Sequence, residues 1–209
     1  TVAAGALYFT ADDGFHGREL WKVGPDGAVD LCWDSLPGPE GSAPQNLVAG
    51  DGSLYFLANI LEAGAAMVRL GWHRPDWSAP RYVFSQPADA LSDVLLALGD
   101  EVLLGLHHAG RGRELTAFRP GSPGLRLVKE IAPGPEDGMD EHMATDSVFE
   151  GRALFLARRS ASEDWHLWLT DGTEAGTQPI VPDPGLGASL SCGAPAYPTV
   201  IGSRLFFAA

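Results

Sequence analysis

Only two cysteines, Cys32 and Cys192, occur in the 209 residues. That is too few for a disulfide framework, and their separation is wrong for a zinc site. Two free thiols, or one bridge between the two ends of the chain, both stay open. Basic residues are also scarce: 14 Lys and Arg stand against 27 Asp and Glu, a formal net charge of -13. Such a surface repels phosphate backbones, which argues against nucleic acid as a partner and disfavours anionic membrane surfaces. It favours cations and basic partners only weakly, because net charge speaks mainly to solubility and association. No apolar run approaches the ~18 residues of a membrane span, so membrane insertion is not expected. No leader peptide is visible, and the chain opens and closes inside strand-like segments, as an excised or mature piece of a longer polypeptide would. Helical periodicity is almost missing; only Ala88 to Leu98 reads as a short helix, and it fits a strand equally well. There is no Gly-x-Ser-x-Gly elbow for a nucleophile. The six histidines show neither helical i, i+4 pairing nor ligand spacing to cysteine.

What the chain does have is turns. Its 26 Gly and 16 Pro are spread between short apolar runs, the pattern of many short strands rather than of a disordered tail. One anchor recurs five times at offsets of about 50 residues: Ala6-Leu7-Tyr8-Phe9, Ser53-Leu54-Tyr55-Phe56, Glu101-Val102-Leu103-Leu104, Arg152-Ala153-Leu154-Phe155 and Arg204-Leu205-Phe206-Phe207. Gly or Asp precedes each copy (Gly5, Gly52, Asp100, Gly151, Gly202) and supplies a tight turn into the strand. A second element follows, best seen in Gly17-Arg18-Glu19-Leu20-Trp21 and Gly112-Arg113-Glu114-Leu115-Thr116, weaker in Trp165-His166-Leu167-Trp168 and most eroded near Ala66-Met67-Val68. A third runs into a Pro-Gly turn: Val29 to Asp34 before Pro37-Gly38, Leu125 to Ile131 before Pro133-Gly134, Gln178 to Val181 before Pro184-Gly185. A short fourth strand, as in Gln45-Asn46-Leu47-Val48, completes the period.

Four short strands per period of about 50 residues predict an all-β fold: a β-propeller of four-stranded antiparallel blades. The repeats are placed at residues 5–51, 52–99, 100–150 and 151–201, with a partial fifth at 202–209, all in one propeller or propeller segment. One such sheet cannot bury both faces alone, so blades must stack. Tyr8, Phe9, Tyr55, Phe56, Phe155 and Phe207 are then expected in the core between blades.

Several stretches are similar to the bacterial ELWxxDGT repeat family. Glu19-Leu20-Trp21 with Val23-Gly24-Pro25-Asp26-Gly27 resembles its signature, as does Leu167-Trp168 with Asp171-Gly172-Thr173. The linker Asp34 to Pro44 and the loop Phe9-Thr10-Ala11-Asp12-Asp13-Gly14 resemble its other stretches. The copies are unevenly eroded: the fourth has His166 where Glu is usual, and the second keeps little beyond its anchor. The resemblance implies a propeller in an exported or envelope-associated bacterial protein and brings no catalytic set with it. It therefore leads to the expectation of a non-enzymatic binding or scaffold module, extracellular or in the cell envelope, holding a protein or glycan partner or assembling with itself. Two alternatives are carried: a hydrolase or lyase with central carboxylates from Glu19, Glu114 and Asp171, and a calcium-stabilised structural repeat.

Asp12, Asp13 and Glu19 are the candidate metal ligands, since calcium takes six to eight oxygens; no other cofactor is expected. Asp171-Gly172-Thr173 reads as a hairpin turn, with a ligand rim as its functional alternative. The acidic run Pro135 to Glu141 reads as a solvated loop. The repeated Glu is read as satisfying backbone at a blade edge or an adjacent Arg. The best candidate partner site is the irregular insertion Gly71 to Pro80, where Trp72, His73, Arg74 and Trp77, with Tyr82 nearby, could serve as protein hot spots or a sugar-stacking surface. Packing of both Trp side chains onto their own loop is the structural alternative.

Overall fold

A computed structural model describes residues 1–87, 91–139, 148–180, 199–201 and 204–206. Its order is all-β, with four four-stranded antiparallel sheets and no helix among the described residues. The first sheet is β1 (Val2–Ala3), β2 (Ala6–Asp12), β3 (Arg18–Val23) and β4 (Val29–Trp33). The second is β5 (Gln45–Gly50), β6 (Ser53–Glu62), β7 (Ala65–His73) and β8 (Arg81–Pro87). The third is β9 (Leu91–Leu98), β10 (Glu101–His108), β11 (Gly112–Phe118) and β12 (Arg126–Lys129). The fourth is β13 (Val148–Phe149), β14 (Arg152–Ala157), β15 (His166–Thr170) and β16 (Gln178–Pro179). A final hairpin pairs β17 (Thr199–Ile201) with β18 (Arg204–Phe206). Within each four-stranded sheet the strands lie in sequence order.

The sheets begin one strand earlier than the sequence periods. The strand assigned to the end of one repeat pairs with the anchor of the next: β5 with β6, and β13 with β14. The segment Leu91–Leu98 is a strand, not a helix, and lies beside β10. The cause is the turn before each anchor. Ala4-Gly5, Asp51-Gly52 and Glu150-Gly151 all have positive φ at both residues, which is the two-residue geometry that folds a strand directly back as a hairpin. At these three anchors the glycine therefore joins two strands of one sheet and does not separate two sheets.

The described chain packs as two compact units, Thr1–Leu91 and Ser92–Ala209. In the first, Ala3, Tyr8, Leu20, Leu54, Phe56 and Ala58 form one core, with Cys32, Leu47 and Tyr82 against it. Strand β6 is buried from Ser53 to Ala58. Successive residues face opposite sides of a sheet, so both faces of β6 are covered. In the second unit, Leu103, Leu115, Val128, Ile131, Met139, Phe155 and Trp168 belong to one cluster, and Leu154, Leu156 and Leu167 form another. Strand β14 thus also buries both faces. Each such Leu or Phe contributes about 1.5–3 kcal/mol. Of the anchor aromatics, Tyr8, Tyr55, Phe56 and Phe155 are fully buried and Phe9 is half-buried. Phe207 lies outside the described residues.

A bond between second element and anchor occurs twice. Trp21 Nε1 donates to Ala11 O and Trp168 Nε1 donates to Ala157 O, each at 3.1 Å. The Trp of the motif thus fastens its own hairpin with its one polar atom satisfied, the Trp168 ring buried and the Trp21 ring half-buried.

Candidate functional site

The insertion in the second sheet is less irregular than its composition predicts. Strand β7 runs to His73, and Trp72 sits within it, opposite Tyr55 on one side and Arg81 on the other. A short turn follows, closed by Trp77 N donating to Arg74 O at 3.0 Å. The turn folds the Trp77 ring edge-on to Trp72, with centroids 4.6 Å apart and planes at 68°. The Arg81 guanidinium lies 4.1 Å from the Trp77 ring centroid. Cation, indole and indole thus form one stack, with both rings half-buried. Arg74 is exposed and reaches Asp76 at 3.5 Å. Arg81 was not among the expected site residues. It stands opposite Trp72 at the turn end of the β7–β8 pairing.

His73 does not belong to that surface. Strand alternation turns it away from Trp72, and it is 3% exposed. Its ring meets Tyr8 edge-on with centroids 5.8 Å apart, and its Nε2 lies 3.6 Å from Cys32 Sγ. Burial holds the imidazole below its ordinary pKa and pushes the Cys32 thiol up to about 11. This pair is a neutral part of the first unit's core, since a thiol with a raised pKa is a poor nucleophile. Cys32 is free; Cys192 lies outside the described residues. Tyr82 packs on the same core, with its hydroxyl on Ser35 Oγ and the Arg69 guanidinium 5.4 Å from its ring centroid.

The three candidate metal ligands have other work. Asp12 Oδ1 accepts from Gly14 N at 2.7 Å. Asp13 Oδ1 accepts from Phe15 N and His16 N, and its Oδ2 pairs with His16 Nδ1 at 2.7 Å. These hydrogen bonds, first those from the His16 and Phe15 backbone, hold the Asp13 carboxyl at about 2. Both aspartates shape the β2–β3 turn by the side-chain-to-backbone bonds typical of Asx turns. Glu19 is fully buried and faces the linker instead. Among the described residues no group of three or more His, Cys, Asp or Glu side chains could hold a metal ion.

Glu19 and Glu114 have the same role in their respective units. Glu19 Oε1 accepts from Leu36 N at 3.0 Å and Ser42 N at 2.8 Å, and its Oε2 from Ser42 Oγ. Glu114 Oε2 accepts from Ile131 N at 2.6 Å and its Oε1 from Ala132 N at 3.1 Å. Each carboxylate holds the Pro-Gly linker that leads from one sheet to the next. The linker in turn reaches the following sheet: Asn59 N donates to Ser42 O at 2.7 Å and Arg158 N to Gly138 O at 3.0 Å. Gly17 and Gly112, two residues before each Glu, have φ of 68°. A Cβ at either would strike the linker backbone, at Glu40 and Gly41 or at Glu136 and Asp137. The expected partner of the repeated Glu was backbone or a neighbouring Arg; the structure places it on backbone. Arg113 turns to Asp137, whose carboxylate accepts from Arg113 N at 2.7 Å.

Asp171 builds a turn. Its Oδ1 accepts from Thr173 N at 2.9 Å and Thr173 Oγ1 at 2.7 Å, bonds that lower its pKa. Gly172 takes φ of 85° between them. Beneath, Thr170 and Thr177 share a hydroxyl bond of 2.7 Å.

No family model and no curated protein matches the chain. Among solved structures it is similar to the AtxE2 isopeptidase, seen as a serine-to-alanine variant with Astexin3-dC4 bound, at 12% identity and a TM-score of 0.49. The match covers 81% of this chain and 24% of that one. The apo form of the same isopeptidase gives 11% identity and a TM-score of 0.48, with the same coverage. The chain thus spans about a quarter of the length of that protein.

Proposed function

We propose that the chain is a β-propeller segment of ELWxxDGT-type repeats, acting as a non-enzymatic binding or scaffold module of an exported or envelope-associated bacterial protein. Its partner is a protein, a glycan, or further copies of itself. The observation that carries this reading is the fate of the motif glutamates. Glu19 and Glu114 are buried, with both oxygens of each engaged by linker donors. Their recurrence then serves sheet-to-sheet linkage, which supports a structural role for the motif over a catalytic one. The propeller reading is supported by four sheets of equal strand number and by strands β6 and β14, which bury both faces. The binding surface is the Trp72–Trp77–Arg81 stack with exposed Arg74, a half-open aromatic and cationic patch suited to sugar rings or a partner's acidic rim.

One observation favours a second reading. Burial lifts the Glu114 pKa to about 7, the range of a general acid in a propeller hydrolase or lyase. One experiment separates the two. Tryptophan emission of the full chain is titrated with neutral and uronic-acid oligosaccharides, and each mixture is checked for cleavage. The proposal expects saturable emission changes that W77A and R74A abolish, and no cleavage. Turnover that E114Q removes while the fold persists would establish the enzyme instead.

A further inference from the structure

The second unit has an open cleft of about 500 Å³ at the hairpin between β11 and β12. Arg119 and Arg126 line it from the two ends of that hairpin, with Glu101 of β10 beside them and Ala117, Pro123 and Leu125 as its apolar wall. The Glu101 side chain is only 14% exposed and anchors both guanidiniums. Arg126 Nη2 donates to Glu101 Oε1 at 3.1 Å, to Oε2 at 3.0 Å and to Gly172 O at 3.0 Å. Arg119 Nη2 lies 3.2 Å from Glu101 Oε1 and 3.3 Å from Asp100 Oδ1. Every one of these protein contacts uses Nη2. Among the described residues the Nε and Nη1 donors of both guanidiniums have no protein partner, while the Nη2 groups are held.

We propose that this cleft is a binding site for a carboxylate carried on a short aliphatic body. Two arginines held by one partly buried glutamate present pre-oriented N–H donors, and an arginine edge matches a carboxylate in bidentate fashion. Asp100, Glu101, Arg119 and Arg126 together carry no net charge. Recognition would therefore rest on the free guanidinium donors beside the apolar wall and not on a positive field. Leu125 and Pro123 give an aliphatic body somewhere to shed water. Both a free small acid and the C-terminal end of a peptide carry this chemistry.

Side-chain and backbone N–H resonances of the full chain, followed by NMR, provide the test. The probes are N-acetyl-L-leucine, N-acetyl-L-leucinamide and an N-acetylated tripeptide with uncharged side chains that ends in leucine with its carboxylate free. N-acetyl-L-leucine shifts the Arg119 and Arg126 Nε–H signals and the Leu125 amide, saturating within about 20 mM, as befits a weak small-ligand site. The leucinamide leaves them in place. Arg119, exposed and tied only to Asp100 and Glu101, is replaced in R119Q, which keeps the fold and weakens the acid roughly tenfold. L125A weakens it as well without touching the guanidiniums. Tighter binding of the tripeptide identifies a peptide end as the source, and equal binding identifies a free acid. Absence of any shift in this range, equal binding of the leucinamide, or full affinity in folded R119Q would each overturn the proposal.

Discussion

Replacing Glu114 by Gln tests the linker clamp through pH. Burial raises the Glu114 carboxyl from its ordinary value of 4.5 to about 7, against the pull of the Ile131 and Ala132 N–H bonds. The folded state therefore binds a proton more tightly than the unfolded chain does. Stability from this group is fully present below 4.5 and is lost as pH rises to 7. That shift corresponds to about 3 kcal/mol. Other groups titrate nearby. His73 and His108 have lowered pKa values through burial and so lose stability as pH falls, while the raised His16 acts the other way. The raw pH curve mixes these effects; the difference between wild type and E114Q cancels them. The assay is urea unfolding followed by tryptophan emission, at constant ionic strength from about pH 4.5 to 8. At the acid end Gln keeps one acceptor oxygen but turns an NH2 toward the second backbone donor, so the variant should be less stable there by about 1–3 kcal/mol. Toward pH 8 wild type should lose about 3 kcal/mol relative to the variant. Parallel curves across the range would refute the reasoning, because they would mean that two backbone donors fully compensate the buried charge.

Glu19→Ala should lose about 3 kcal/mol, since it strips the acceptor from Leu36 N, Ser42 N and Ser42 Oγ in a buried site; hydrogen exchange at the Leu36 and Ser42 amides should accelerate with it. Gly17→Ala should be far more damaging than Gly27→Ala: both have positive φ, but only the first would drive a Cβ into backbone, so the second should cost about 1 kcal/mol and the first several times that in thermal unfolding. Asp171→Ala removes the two bonds to Thr173 and should cost about 1 kcal/mol, read as a small drop in Tm, because the turn is exposed. Adding a chelator should leave Tm unchanged, since the acidic side chains at the β2–β3 turn are bonded to their own backbone; a fall in Tm would restore the calcium reading.

The strands were legible because apolar anchors and turn glycines recur at one period, and both signals are local. The phase of the sheets was harder to read. A period records how often a strand comes, not which neighbour it pairs with. The information was nevertheless present in Asp51-Gly52, where only two residues separate Gly50 from Ser53, a spacing that favours a hairpin across the gap. The Trp loop divides similarly. Its two indoles stood out by composition, yet the separation of His73 from Trp72 depends on β7 extending to residue 73. Once that extension is granted, alternation alone sends His73 to the core beside Tyr8 and Cys32. Arg81 could not be foreseen, because its contact with Trp77 depends on how the turn between β7 and β8 folds back.

The repeated glutamate shows why motif recurrence and catalysis are easily confused. A buried carboxylate is costly unless its oxygens are engaged, so a chain keeps one only where several donors converge. An active site meets that condition with substrate and solvent; here the linker meets it with Leu36, Ser42, Ile131 and Ala132. The same donors that make Glu19 and Glu114 tolerable inside the protein tie both carboxylates to the linker. The Arg119 and Arg126 guanidiniums are the converse. Each is held at Nη2, and both side chains line a cleft that the repeat motif does not build. On the proposed reading, ligand chemistry lies in the Pro- and Gly-rich hairpins of the second and third sheets, while the repeated glutamates hold one sheet to the next.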